Sequence, residues 1–203
     1  MQDISTYKIN NINGVSGNDS SIYWRERKFA GDWHSAYTSI EKIKAKALEK
    51  KYKTDTAHKN EIKYADDYFN LMSGNIANNI TLKYSYRYKT GYNYNAETGL
   101  YEKSIDSKPH VMQNGEVVKF KNIIVELIHD TSLGDGSDRR NINTTGTGKG
   151  YYFTNGEYEE ITWSKDSRRE NTKYYKADGN ELIVNPGKTI INIISPSSGI
   201  VIE

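Results

Sequence analysis

Residues 143–163, NTTGTGKGYYFTNGEYEEITW, admit two readings that lead to different folds. Gly146, Gly148, Lys149 and Gly150 either form a loop that wraps a phosphate or relieve crowding where a strand enters a hairpin. A phosphate loop needs a glycine, four residues, then Gly-Lys-Ser/Thr, and a helix whose N-terminus faces the anion. Here Asn143 stands where the first glycine belongs, Gly150 replaces the hydroxyl residue, and an aromatic GYYF segment follows. Asn155-Gly156 then supplies a turn that needs positive φ, and EEITW a second strand. The stretch therefore reads as a hairpin whose glycines permit a bulge or a close backbone approach, and no nucleotide or other cofactor is expected.

Working outward, the same grammar recurs. Ile80, Leu82, Tyr84, Tyr86 and Tyr88 alternate with polar residues, the period of a half-buried strand. Glu97-Thr98-Gly99, Asn114-Gly115, Asp178-Gly179 and Pro186-Gly187 punctuate further segments such as NIIVELIH from Asn122 and TIINII from Thr189. Closely spaced strands predict a mostly antiparallel all-β sandwich or partly open barrel over residues 80–203, with SPSSGIVIE as a tail. Upstream, TSIEKIKAKALEKKY (38–52) predicts one helix, with a capping box of Thr38 and Glu41 and a stripe of Ile40, Ile43, Ala47 and Leu48. Its lysines read as a solvated face. Residues 53–79 have no sustained period and read as a connector with a short strand near Ile62–Ala65. The fold class is thus α+β: residues 1–79 as the end of an N-terminal α/β domain plus connector, and 80–203 as a C-terminal all-β domain.

The chain of 203 residues is long enough to bury a core, and its 17 tyrosines give that core apolar bodies with polar tips. A formal net charge of +2 offers no field for a polyanion, so nucleic acid is not an expected partner. The absence of cysteine removes disulfides and thiolate chemistry. No apolar run approaches the length of a membrane span, and MQDISTYKIN carries no targeting signal.

Chemistry is sparse. His34, His58, His110 and His129 show no metal-ligand spacing, so no metal is expected. Asp130, Asp135 and Asp138 miss the EF-hand pattern and read as a polar loop. Adjacent pairs Asp66-Asp67 and Glu159-Glu160 would point to opposite faces of a strand, so neither forms an acid/base couple. The densest cluster is YWRERKFAGDWHSAYTS, which gathers Arg25, Arg27, Trp33, His34 and Tyr37 ahead of the helix. Arginines and aromatics there suit an anionic or sugar ligand; the plainer reading is that Trp33 anchors a packed corner and His34 binds a backbone carbonyl.

GYNYNAETGLYEKSIDSKPH, KNIIVELIHDTS, TTGTGKGYYFTNG, ITWSKDS, TKYYKADGNEL and NPGKTIINIISP, in this order, resemble the C-terminal domain of the YerB-like lipoproteins, a family of unknown function. WRERKFAGDWHSAYTS resembles the end of that family's N-terminal domain, with Gly31 to Tyr37 in place of an Ala-Pro-His-Asn-Leu-Tyr motif and His34, Tyr37 and Thr38 kept. The family's lipid-modified cysteine has no counterpart before Asp3. The resemblance implies an extracytoplasmic protein of mostly Gram-positive bacteria, membrane-anchored as a lipoprotein, with no assigned reaction. It also places the glycines at a turn opening a hairpin whose second strand carries Trp163, with Lys149 free to project into a site.

The function expected on these grounds is a cell-envelope module binding cell-wall glycan, peptide or an envelope protein through Arg25, Arg27, Trp33, His34 and Tyr37, with Lys149 as a further candidate. The alternative is a cell-wall-modifying enzyme with His34 as general base, oriented by Asp32 or Asp166.

Overall fold

The computed structural model describes residues 9–14, 19–26, 35–55, 62–136 and 139–203. The chain divides into two compact units, Met1–Lys59 and Asn60–Glu203. This division falls earlier than the sequence-based boundary at 79/80.

In the first unit a 3₁₀ turn (Ser20–Ile22) leads into β1 (Trp24–Arg25), which pairs antiparallel with β2 (Ala36–Tyr37) ahead of helix α1 (Ile40–Glu49). The helix is capped one residue later than the predicted box. Ser39 is extended, and its hydroxyl accepts the Lys42 N–H at 3.3 Å. Thr38 is directed elsewhere, its hydroxyl donating to the Ile22 carbonyl at 3.0 Å. Glu41 therefore lies inside the first turn, where its own backbone N–H and then Ser39 hold its carboxyl below the usual range. Near the other end Lys50 meets the buried Asp19 carboxylate at 2.9 Å, and that contact, with the Asn13 N–H, keeps Asp19 below its usual range. The predicted stripe is not buried: Ile40 and Leu48 are exposed.

Strands of the second unit run β3 (Lys63–Tyr64), β4 (Asn79–Ser85), β5 (Tyr88–Asn95), β6 (Leu100–Ile105), β7 (Lys108–Pro109), β8 (Lys119–Phe120), β9 (Asn122–Leu127), β10 (Asp130–Ser132), β11 (Arg140–Ile142), β12 (Gly146–Thr154), β13 (Glu157–Lys165), β14 (Lys173–Lys176), β15 (Ile183–Val184), β16 (Thr189–Ile194) and β17 (Gly199–Ile202). One sheet has the order β17-β4-β5-β6-β7, with β8 also on β6; the other is β14-β13-β12-β9-β16. Pairing is antiparallel except for β16 on β9 and β15 on β3. Neither sheet closes into a barrel, so of the two predicted forms the sandwich is found.

The expected tail is a strand. Gly199–Ile202 pairs with β4, and Ile200 and Ile202 pack on the core between the sheets. Its two apolar alternations after a Pro/Ser turn are too short a signal to read from sequence.

Ile80, Leu82, Tyr92 and Tyr101 of one sheet meet Ile123, Val125, Phe153 and Ile194 of the other. The intervening residues of the second sheet face outward and are buried too: Ile124, Ile128, Tyr152, Ile161, Trp163 and Tyr174 form a second core with Leu182 and Val184. A strand buried on both faces explains why NIIVEL is a continuous apolar run rather than an alternation. Part of this second core is covered by the stretch expected to be a connector: Ile62 and Leu71 pack on it, and β3, lying inside the strand predicted at 62–65, pairs with β15.

Candidate functional site

The glycines of the opening stretch lie inside β12, paired along its length with β13. Asn155 and Gly156 carry the positive φ that their turn demands. Gly148 sits beneath the indole of Trp163, where an added Cβ would lie 2.6 Å from Nε1. At Gly150 a Cβ would run into the Val125 carbonyl of the neighbouring strand. These are close approaches, as the hairpin reading expects, and no helix follows to receive a phosphate.

The predicted site residues separate. Arg27, Trp33 and His34, together with Asp32, lie outside the described residues. Arg25 and Tyr37 share one two-stranded ladder, but the register pairs Trp24 with Tyr37 and Arg25 with Ala36. Paired residues share a face and neighbours alternate, so Arg25 and Tyr37 lie on opposite faces. Arg25 Nη1 donates to the buried Ser35 hydroxyl at 3.4 Å. Tyr37 instead stacks with Trp24, ring centroids 6.4 Å apart, and Lys42 Nζ stands 4.8 Å from the Trp24 ring. Both rings are more than a third exposed. Trp24 and Lys42 were missed because the sequence shows only their nearness to the cluster; the strand register and the helix turn bring them to Tyr37.

Lys149 belongs to the second unit. It is exposed and borders a cavity of about 520 Å³ with His129, Leu127 and Trp163. Asp166, the one described carboxylate of the enzyme reading, is exposed. Of the acidic loop, Asp130 bonds Arg140 and Asp135 bonds Arg139, and Asp138 lies outside the described residues. No acidic, histidine or cysteine cluster among the described residues suits a metal ion.

One ionisable pair stands out in the second unit. Glu126, next to the last residue of β9, is only 5% exposed, and its Oε1 accepts the Tyr174 hydroxyl at 2.6 Å. Tyr174 reaches it from β14, over the two intervening strands, on which Gly150 is the ladder partner of Glu126. Burial pushes the Glu126 carboxyl up, opposed by the Tyr174 hydrogen bond and the charge of Lys165; burial, then Glu126, pushes the Tyr174 phenol up as well. The available signal was a lone acid in an apolar strand, a local inconsistency of the kind that marks special positions.

The raised carboxyl has a stability consequence. An unfolded chain releases this proton in the ordinary carboxylate range while the folded chain still holds it, so stability falls as pH rises through the folded value. Glu126→Gln keeps an acceptor for Tyr174 without the buried charge. It is expected to raise Tm by about 3 °C at pH 7 and to leave pH 4 unchanged. Scanning calorimetry at both pH values checks this, and an equal gain at both would trace the effect to packing.

The chain belongs to the family described as Protein of unknown function (DUF3048) C-terminal domain, whose match covers residues 80–191. It is 32% identical over 185 residues to the Bacillus subtilis (strain 168) protein named "Putative lipoprotein YerB", an alignment covering 87% of this chain and 52% of that protein. The crystal structure of YerB protein from Bacillus subtilis matches with a TM-score of 0.79 at 25% identity, covering 98% of this chain and 66% of that one. The chain thus spans about half the length of the curated relative it matches. No helix among the described residues is long and apolar enough to cross a membrane.

Proposed function

We propose that this chain is an extracytoplasmic binding module of a lipoprotein family and that it engages cell-wall material through the face bearing Trp24, Tyr37 and Lys42. The carrying observation is the exposed stack of Trp24 on Tyr37 with Lys42 over the indole. A flat aromatic pair offers its π faces to sugar rings or peptide side chains, and the ammonium beside it suits carboxylates of the same polymer. The ladder is pinned by the Thr38 bond to Ile22 and by the Glu26 N–H bond to the Ser35 carbonyl at 3.0 Å, so the rings are presented on a fixed support. Support for the compartment comes from the lipoprotein name of the YerB relative.

The double variant Trp24→Ala/Tyr37→Ala is expected to lose at least about tenfold in affinity for purified wall sacculi in a co-sedimentation assay, as removal of aromatic anchors does at other interfaces. Unchanged sedimentation with the fold intact would sink the reading. Retention of wall binding with loss of a membrane-protein partner from envelope extracts would redirect it to the partner form of the same module.

A further inference from the structure

We propose that the outward face of the five-stranded sheet carries a binding site for a zwitterionic amino acid, Glu126 taking the ammonium and Lys165 the carboxylate. This site lies in the second unit, shares no residue with the aromatic face, and stands or falls separately from the function proposed above.

A cavity of about 280 Å³ is bounded by Glu126, Tyr174, Lys165, Thr172, Ile191 and Ile193. Its size suits one residue better than an extended ligand. Glu126 forms its floor. The carboxylate is almost fully buried, yet among the described residues no cation lies within ion-pair distance, and Tyr174 supplies a single neutral donor. A buried carboxylate held this way is costly unless a cation reaches it. Opposite it in the ladder stands Gly150, which has no side chain to cover the acid. Lys165 borders the same cavity, and among the described residues its ammonium has no hydrogen-bond or ion-pair partner. Two opposite charges thus face one cavity without meeting.

A ligand with an ammonium and a carboxylate on one carbon satisfies both at once, whereas a simple amine or acid leaves one unmatched. The cavity wall adds a preference. Ile191 and Ile193 of the edge strand β16 are 43% and 37% exposed, and they offer an apolar surface to a branched side chain. Leucine is therefore the probe of choice, with alanine as its shorter control.

The test is calorimetric titration of the full chain with leucine, with 4-methylpentanoate as the carboxylate-only analogue and isoamylamine as the ammonium-only analogue. Leucine is expected to bind with a Kd of about 1 mM or tighter, and each analogue at least about tenfold more weakly. Glu126→Gln and Lys165→Met should each weaken leucine by about tenfold or more. If Glu126→Gln fails to fold, Lys165→Met, at a half-exposed position, decides the matter alone. Absence of heat or of amide shifts with leucine and alanine at about 10 mM overturns the proposal. So does leucine affinity unchanged in the variants. Isoamylamine binding as tightly as leucine overturns the zwitterion class, because Lys165 would then contribute nothing.

Discussion

Asn185→Ala is expected to destabilise the second unit by about 3 kcal/mol and to lower its Tm by roughly 6–12 °C. Asn185 is fully buried at the end of β15, and its side-chain amide imitates a strand neighbour for Phe69. It accepts the Phe69 N–H at 2.8 Å and donates to the Phe69 carbonyl at 2.8 Å and to the Thr154 hydroxyl at 3.0 Å. Behind it the chain of bonds continues: the Asn185 N–H donates to the Tyr152 hydroxyl, which donates to Asn122 Oδ1, whose amide returns to the Asn185 carbonyl at 2.7 Å. Alanine would strand the Phe69 N–H and leave the buried Thr154 hydroxyl only its long bond to the Lys121 carbonyl at 3.4 Å, and an unsatisfied group costs about 1–3 kcal/mol. Connected networks lose more than single bonds suggest. Urea unfolding followed by far-UV circular dichroism measures the change. A loss below about 1 kcal/mol would mean that water replaces the amide and that residues 62–71 are held by the β3–β15 pairing, the Asn155 bond to Phe69 and the packing of Ile62 and Leu71.

The network also shows where sequence reading stops. Most strands from Ile80 onward were legible because alternation and Gly-containing turns are local, and the Asn155-Gly156 turn joins β12 to β13 as expected. The alternation from Ile80 to Tyr88, expected as one strand, is instead folded into the β4–β5 hairpin by a turn at 86–87, and β17 stands in place of the expected tail. Beyond the short strand expected at 62–65, residues up to 77 were not legible as structure, since what fixes them is distant in sequence: Asn185 and Asn155 grip Phe69, and the Gly156 carbonyl takes the Ala77 N–H at 2.7 Å. The cap of α1 was misplaced by one residue because Thr38 and Ser39 both fit the local rule, and only the contact of Thr38 with Ile22 separates them. Among the site candidates, the sequence grouped Arg25 with Tyr37 by proximity, whereas a two-residue ladder puts neighbours on opposite faces. Glu126 was passed over because its partner Tyr174 lies on a strand three ladders away.

Gly150→Ala is expected to cost about 3 kcal/mol or more, against about 1 kcal/mol for Gly148→Ala, and the difference lies in what each new methyl group meets. At Gly148 the obstacle is the Trp163 indole, a side chain that can tilt toward the cavity beside it. Its displacement should appear as a shift in tryptophan emission with the strand pairing intact. At Gly150 the obstacle is the Val125 carbonyl, part of the ladder between β9 and β12, and relief requires moving one strand against the other. Such a movement acts at the point where Gly150 faces Glu126, so the variant should also uncouple Tyr174 from the acid; with that opposing hydrogen bond gone and burial left to act, the pH dependence that separates Glu126→Gln from the parent should grow. Thermal unfolding of both glycine variants at pH 4 and pH 7 checks the two effects together. Equal and small losses at the two positions would mean that the sheet tolerates a Cβ along this strand, and that the glycines answer to some demand other than close packing.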